Sequence, residues 1–254
     1  MRIVLLTQDE PLFLVPAIDY LLSLKPQDVE IAGCVVFAPS PLGKKARMAE
    51  RAKELLRVFG PAYFLRYATR FAAARIRPSR RLSNVLRRHR VQELRLMGNV
   101  NDPHSLDAIR ALGPDLLVSV AGNQLFRRPL IDLAPKGCLN LHTALLPKYR
   151  GLMPTFWALK NGEKETGVSV FLVDEGIDSG PIVVQKRVPI GADSLEDLIR
   201  RTKVIGMDAV WEAVEGIRSG KADLLPNPKA EKSYFSFPTR ADVRAFRAAG
   251  KRLY

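Results

Sequence analysis

The stretch LNLHTALLPKYRGLMPTFWALKNGEKETGVSVFLVDEGIDSGPIV, Leu139 to Val183, decides how the chain folds. It opens inside an apolar run, GCLNLH (137–142), whose length and composition predict a buried strand that stops at a polar loop. A helix is expected from about Met153 to Lys160, followed by two β-type runs, TGVSVFLVD (166–174) and PIVVQKRVPI (181–190). The Gly-containing loop between these runs is too short for a crossover helix, so the two are expected to pair antiparallel.

Upstream, RIVLL (2–6), a helical pattern from Pro11 to Leu24 and IAGCVVFA (31–38) start the chain as β-α-β. DPHSLDAIRALG reads as a helix with Asp102 as cap, Pro103 in the first turn and Gly113 as stop. PDLLVSVAG (114–122) is a further buried strand, and a short helix is expected around Phe126 to Leu133. Alternation of this kind implies an open, Rossmann-like α/β sheet, mostly parallel, with antiparallel C-terminal strands. Downstream, a long amphipathic helix capped by Ser194 runs to near Gly216, and a Pro-containing tail fills 221–254. The expected division is a catalytic domain over 1–216 that includes a basic helical insertion at 43–98, with a C-terminal extension over 217–254.

The 254 residues are 47% hydrophobic and 26% charged, with a mean hydropathy of −0.04, which excludes wholesale disorder and supports a real core. No apolar run reaches the roughly 20 residues needed to span a bilayer. The start MRIVLLTQDEPLF carries charge where a secretory signal needs apolar residues, so the chain is expected to begin at Met1 and act in the cytoplasm. Cys34 and Cys138 stand far apart without a CxxC or zinc spacing, and read as buried thiols in a reducing compartment; no metal is called for.

The formal net charge is +14. Between Gly43 and Gly98 sixteen basic residues face three acidic ones, so nearly all of that charge belongs to one segment. Such a balance points to an anionic partner.

Ligands of open α/β sheets gather at the carboxyl ends of the strands, where this chain places Ala121-Gly122-Asn123-Gln124, Asn140-Leu141-His142-Thr143 and Asp174-Glu175-Gly176-Ile177-Asp178. Asn140 and His142 are two apart on an extended segment and leave the same face. An amide, an imidazole and the carboxylate of Asp178 form a workable acid/base and oxyanion-stabilising set. The alternatives are ordinary strand-end hydrogen bonding for Asn140 and His142 and turn formation for Asp174 and Asp178. No Ser or Cys lies at a nucleophile elbow, which favours direct transfer. Neither G-x-G-x-x-G after the first strand nor a P-loop occurs. His89 and His104 lie in basic or capping contexts without evident partners and are expected to be solvated.

The Asn-x-His, the LLP, the YRG and the Asp of the later Gly-rich loop, in that order, closely resemble the signature of the folate-dependent formyltransferases, which include glycinamide ribonucleotide transformylase, methionyl-tRNA formyltransferase and the sugar N-formyltransferases. Thr143 and Ala144 stand where that family usually has Pro or Gly and Ser. The resemblance implies the formyltransferase fold, Asn140, His142 and Asp178 as the catalytic trio, and 10-formyltetrahydrofolate as formyl donor without a metal. It also implies a pterin pocket lined by Gln124, Leu125, Phe126, Val173, Asp174, Glu175, Gly176 and Ile177. A primary amine is the implied acceptor, and an anionic amino sugar, nucleotide- or lipid-linked, would meet Lys148, Tyr149 and Arg150. Aminoacyl-tRNA is the alternative acceptor, weakened because only a short segment follows Gly216 where methionyl-tRNA formyltransferases carry a β-domain. A non-catalytic RNA- or membrane-binding module is a further alternative, and hydrolysis of the formyl donor a lesser one.

In VFGPAYFLRYATRFAAARIRP the residues Phe59, Tyr63, Phe64, Tyr67 and Phe71 fall along one helical stripe, interleaved with Arg57, Arg66, Arg70, Arg75 and Arg77. Three readings follow: packing of the aromatics on the domain or on a second copy in a homodimer, docking of 57–77 on an anionic membrane at the inner face, or contact with RNA.

Overall fold

The computed structural model describes residues 1–37, 48–96 and 98–254, and Met48 by its backbone alone. Ala38, the expected end of the second strand, and the basic residues Lys44, Lys45 and Arg47 lie outside the described residues.

The strands are β1 (Arg2–Gln8), β2 (Glu30–Phe37), β3 (Glu93–Leu94), β4 (Leu116–Val120), β5 (Cys138–His142), β6 (Arg150–Gly151), β7 (Glu165–Leu172), β8 (Ile182–Pro189) and β9 (Tyr234–Phe235). The helices are α1 (Leu14–Ser23), α2 (Met48–Phe59), α3 (Pro61–Ile76), α4 (Leu82–Arg88), α5 (Pro103–Arg110), α6 (Arg128–Ile131), α7 (Pro154–Lys160), α8 (Leu195–Ser219) and α9 (Arg240–Ala248). The main sheet runs β3-β2-β1-β4-β5-β7-β8. It is parallel from β3 to β5, and β7 and β8 are antiparallel, as expected for a mixed sheet.

Side-chain alternation explains its two covered faces. Ile3, Leu5, Val118, Leu139 and Leu141 pack under α1, α4 and α8, whereas Val4, Leu6, Leu117 and Cys138 pack against Leu106, Ile109 and Leu130 of α5 and α6. The long α8 lies close on β5, because a Cβ on Gly206 would stand 2.7 Å from a Leu141 methyl. Its start is fixed by a reciprocal capping box between Ser194 and Asp197. Cys34 and Cys138 are free and buried, and burial pushes both thiols well above the usual range.

Three local expectations are corrected by specific bonds. Helix α1 starts at Leu14 rather than Pro11, since the Glu10 carboxylate accepts from the backbone N–H groups of Leu12, Phe13 and Leu14. Asp102 turns away from α5 and accepts from the Asn99 N–H at 2.7 Å. His89 is not simply solvated, for its Nε2 lies 2.8 Å from an Asp19 oxygen; His104 is exposed.

Part of the aromatic stripe faces the protein's own core, while Phe64, Tyr67 and Phe71 are half-buried. Phe59 and Tyr63 are buried among Phe156, Trp157 and Phe246 of α7 and α9. Tyr63 stacks between Tyr67 and Tyr254 with centroid distances of 6.2 Å each. Arg66, Arg70 and Arg200 converge on Oε2 of Glu196, which is only 2% exposed and rivets α3 to the start of α8. Phe59 and Tyr63 are thus committed to packing within the chain, the first of the three readings of the stripe. Among the described residues no helix is long and apolar enough to cross a membrane.

The tail is woven into the same body. Leu225 exchanges hydrogen bonds with Ile182 on the sheet edge, β9 pairs with β6, and Phe235 stacks on Tyr149 and Trp157 at centroid distances of 5.3 and 4.7 Å. The backbone N–H groups of Leu195 and Glu196 donate to the carbonyls of Arg252 and Leu253.

Candidate active site

On the α5/α6 face of the sheet the helices cover only part of the surface. Over β4, β5 and β7 a cavity of about 940 Å³ remains, with Ser119, Asn140, His142 and Phe171 on its floor. The period-2 alternation that buries Leu139 and Leu141 under α8 turns Asn140 and His142 together into this space.

His142 is buried, and its Nε2 lies 2.8 Å from the Tyr149 carbonyl oxygen. A carbonyl can only accept, so Nε2 carries a proton and Nδ1 is left facing the cavity. Oδ2 of Asp178 lies 3.7 Å from Nδ1 and accepts from the Gly151 N–H at 2.8 Å. Asn140, half-buried, makes no side-chain hydrogen bond among the described residues and offers its amide to the cavity. Ser119 Oγ is buried there without a hydrogen-bond partner among the described residues.

Asp178 does not reach His142 by the route the strand ends implied. Because β7 runs antiparallel to β5, Leu172 pairs with Leu139 and only Ser169 lies opposite His142. The 173–180 loop therefore starts at the far end of β5 and folds back along the cavity. Gly180 permits this return, since a Cβ there would come within 1.8 Å of the Leu172 carbonyl oxygen. Asp174 pins the first bend by accepting from the Gly176 N–H at 3.0 Å and from the Ser179 hydroxyl at 2.5 Å. Asp174 thus acts as a turn former, as one expectation had it, while Asp178 is carried to the imidazole.

Non-glycine residues in the left-handed region gather around the same space: Ala121 (φ 60°), Tyr149 (φ 60°), Met153 (φ 53°) and Asp178 (φ 47°). Such backbone persists where surrounding structure over-determines it, and here it aims the groups just described.

The structure brings the two loops of the expected donor pocket together. Gln124, Leu125 and Phe126 line one side of the cavity, and Val173, Asp174, Glu175, Gly176 and Ile177 the other. Gln124 Oε1 accepts from the Val100 N–H at 2.8 Å, which fixes that loop, and Leu125 and Ile177 keep large apolar side chains exposed at the mouth.

The expected acceptor contacts are placed otherwise. Lys148 is exposed, while Tyr149 donates its hydroxyl to Glu163 and stacks on Phe235. Arg150 is buried and donates to Asn227 at 2.8 Å. None of the three is on the cavity wall. That wall is instead built by Arg51, Phe64, Tyr67, Phe71 and Arg75 of α2 and α3, and by Lys203 of α8. Desolvation holds the Lys203 ammonium below the ordinary lysine range, with Glu10 opposing the shift. Sequence reasoning passed over Lys203, although a lysine four residues after Ile199 interrupts the apolar track of α8 and was a legible signal.

A family model described as formyl transferase matches residues 1–214. Methionyl-tRNA formyltransferase of Kosmotoga olearia is 38% identical over 146 residues, which are 57% of this chain and 47% of that protein. The enzyme of the same name from Trichlorobacter lovleyi is 40% identical over 123 residues, 48% of this chain and 39% of that protein. The chain thus spans half or less of the length of these curated relatives. Among solved structures, phosphoribosylglycinamide formyltransferase from Anaplasma phagocytophilum superposes with a TM-score of 0.63 at 16% identity, covering 94% of this chain and 99% of that one. A sugar N-formyltransferase from Shewanella sp. gives 0.58 at 21% identity, covering 93% and 77%. These likenesses concern the fold, whereas the family match extends over most of the sequence, and the chain belongs to the formyl transferase family.

Proposed function

We propose that this chain moves the formyl group of 10-formyltetrahydrofolate to a primary amine by direct attack. The observation that carries the proposal is the convergence of an unpartnered Asn140 amide, the Nδ1 edge of His142 and the Asp178 carboxylate on one cavity. Its flanks suit a flat, partly polar donor: Phe126, Phe171, Val173 and Ile177 supply apolar surface, and the buried, unpartnered Ser119 Oγ a polar contact. Two solved structures of similar fold, one a sugar 3N-formyltransferase and one an N-formyltransferase from Helicobacter canadensis, are described with 5-N-formyl-THF and folinic acid respectively, which supports a folate donor.

In this reading the amine nitrogen forms a bond to the formyl carbon while the carbonyl electron pair moves onto oxygen. Asn140 and protonated His142 donate to that oxygen. The Tyr149 carbonyl orients the imidazole, and Asp178, whose negative charge lies 3.7 Å from Nδ1, takes up the proton shed by the attacking amine through a water. The oxygen electron pair then re-forms the carbonyl as the carbon–N10 bond breaks, that bond's pair stays on N10, and the proton held by Asp178 returns through water to N10.

The acceptor side is the wall of Arg51, Phe64, Tyr67, Phe71 and Lys203. Cations beside aromatic rings favour a small amine that carries an anionic group, an amino sugar joined to a nucleotide or lipid phosphate being the fitting class. The names of the curated relatives favour a second reading, aminoacyl-tRNA. An assay with 10-formyltetrahydrofolate against amino sugars, nucleotide-linked amino sugars and methionyl-tRNA separates them. Formylation of the nucleotide-linked sugars alone supports the first reading, formylation of methionyl-tRNA the second, and no transfer to any amine would sink both.

A further inference from the structure

Asn227 lies in the tail, beyond the residues matched by the family model, yet it holds more of the active-site loop than any neighbour named so far. Its Nδ2 donates to the carbonyl oxygens of Asp178, at 3.0 Å, and Gly180, at 2.9 Å. Its Oδ1 accepts from the buried Arg150 guanidinium at 2.8 Å, and its backbone carbonyl accepts from the same nitrogen at 3.2 Å. Arg150 precedes Gly151, whose N–H is the donor to Asp178 Oδ2. One amide therefore ties both strands of a clamp: the loop that carries the carboxylate and the segment that supplies its backbone anchor.

Asp178 needs such a clamp. It sits at φ 47°, in a region costly for a non-glycine residue, on a loop that has folded back along the whole length of β5. Without Asn227 the carbonyls of Asp178 and Gly180 would lose these donors. Ser233 extends the arrangement, because its hydroxyl accepts from the Tyr149 N–H at 2.8 Å and its carbonyl from the Arg150 N–H at 2.9 Å. Tyr149 in turn supplies the carbonyl that orients His142.

We infer that Asn227 is a positioning residue for formyl transfer: it sets Asp178 against His142 from outside the matched domain, so that the tail completes the active site. The inference rests on the reading of Asp178 as part of the acid/base set, and its test has one arm that needs no activity.

Asn227→Asp keeps an oxygen for Arg150 but turns a second carboxylate oxygen toward the carbonyls of Asp178 and Gly180, while Asn227→Ala removes both halves. Hydrogen exchange at the Gly151 amide reports whether Asp178 Oδ2 is still in place. In Asn227→Asp that amide is expected to exchange at least tenfold faster, as is also expected of an Asp178→Ala control, while the amides of β1 and β4 keep their protection. Gly151 protection equal to wild type in Asn227→Asp overturns the inference, whatever the enzyme's activity. If Asn227→Ala loosens the whole molecule, Asn227→Asp alone decides.

The second arm is kinetic. Asn227→Asp is expected to lower kcat about tenfold with the KM for the folate within twofold, and to cost nothing further when Asp178 is already Asn. A purely structural role would give the same fractional loss in both backgrounds, and that result also overturns the inference. Absence of formyl transfer in the wild type would instead defeat the proposed function while leaving the exchange result intact.

Discussion

Oδ2 of Asp178 stands 3.7 Å from Nδ1 of His142, beyond a hydrogen bond, while the same oxygen is held at 2.8 Å by the Gly151 N–H. The carboxylate is thus fixed by backbone and not by the imidazole, and both groups line the same cavity. If they act as an acid/base pair, His142→Ala and Asp178→Asn should each lower the rate of formyl transfer by about a hundredfold or more. A thermal melt checks that the fold survives, and a rate near wild type in either variant contradicts the assignment.

Asn140 separates binding from chemistry. Its amide has no hydrogen-bond partner among the described residues to lose, so Asn140→Ala should leave stability almost unchanged. Removal of an oxyanion donor typically costs about a hundredfold or more in kcat. Calorimetric folate affinity close to wild type, set against that fall in kcat, is the expected pattern, and a loss confined to affinity would count against the role.

Gly180 tests the folded-back loop. Gly180→Ala forces a Cβ against the Leu172 carbonyl, which must shift the backbone that carries Asp178. Activity should fall at least tenfold, by a tethering argument in which small misplacements of catalytic groups are costly. The sheet core should remain protected from hydrogen exchange, since the strain falls on the loop.

Glu196 decides whether the basic helices are a surface device or part of the scaffold. Its buried carboxylate accepts three arginines, so Glu196→Ala leaves Arg66, Arg70 and Arg200 crowded without their anion. Loss of one member of a buried charge cluster costs on the order of 3 kcal/mol, readable as a lower urea midpoint. Arg75, 51% exposed and 3.9 Å from Asp9, should be far more tolerant, and Arg75→Gln is expected to leave the unfolding free energy within about 0.5 kcal/mol of wild type.

Helix α9 gives a pH-dependent contribution. Desolvation opposes ionisation of Asp242, yet hydrogen bonds from the Thr239 hydroxyl and N–H and from Lys160 outweigh it and hold its carboxyl below the usual aspartate range. The folded value is depressed, so the stabilisation is complete above the unfolded aspartate range and disappears as the pH falls through the folded value. Asp242→Asn should therefore lower the melting temperature at neutral pH, and the gap to wild type should close in acid. An equal gap at all pH values would show that the capping charge is not the cause.

Much of the architecture was legible in the residues themselves. Continuous apolar runs such as Leu116–Val120 mark strands buried on both faces, a short Gly loop between two β-type runs forces an antiparallel pair, and Ser194 marks a helix start, because each of these signals is local. The common face of Asn140 and His142 follows from the period of a strand alone. What the sequence could not decide is long-range direction and partnership. The inward turn of the aromatic stripe depends on α7 and α9 arriving beside it, and Glu196 collects arginines from positions 66 and 70 only after α3 docks on α8. Tyr149 and Arg150 look like ligands in a basic, polar loop, but burial commits them to Glu163 and Asn227. The antiparallel entry of β7 puts Asp178 on a loop that must return along β5, and the amide that holds it there comes from Asn227, 49 residues later. A hydrogen bond across that distance leaves no periodicity in the chain, because its formation depends on the three-dimensional course of everything between its two ends.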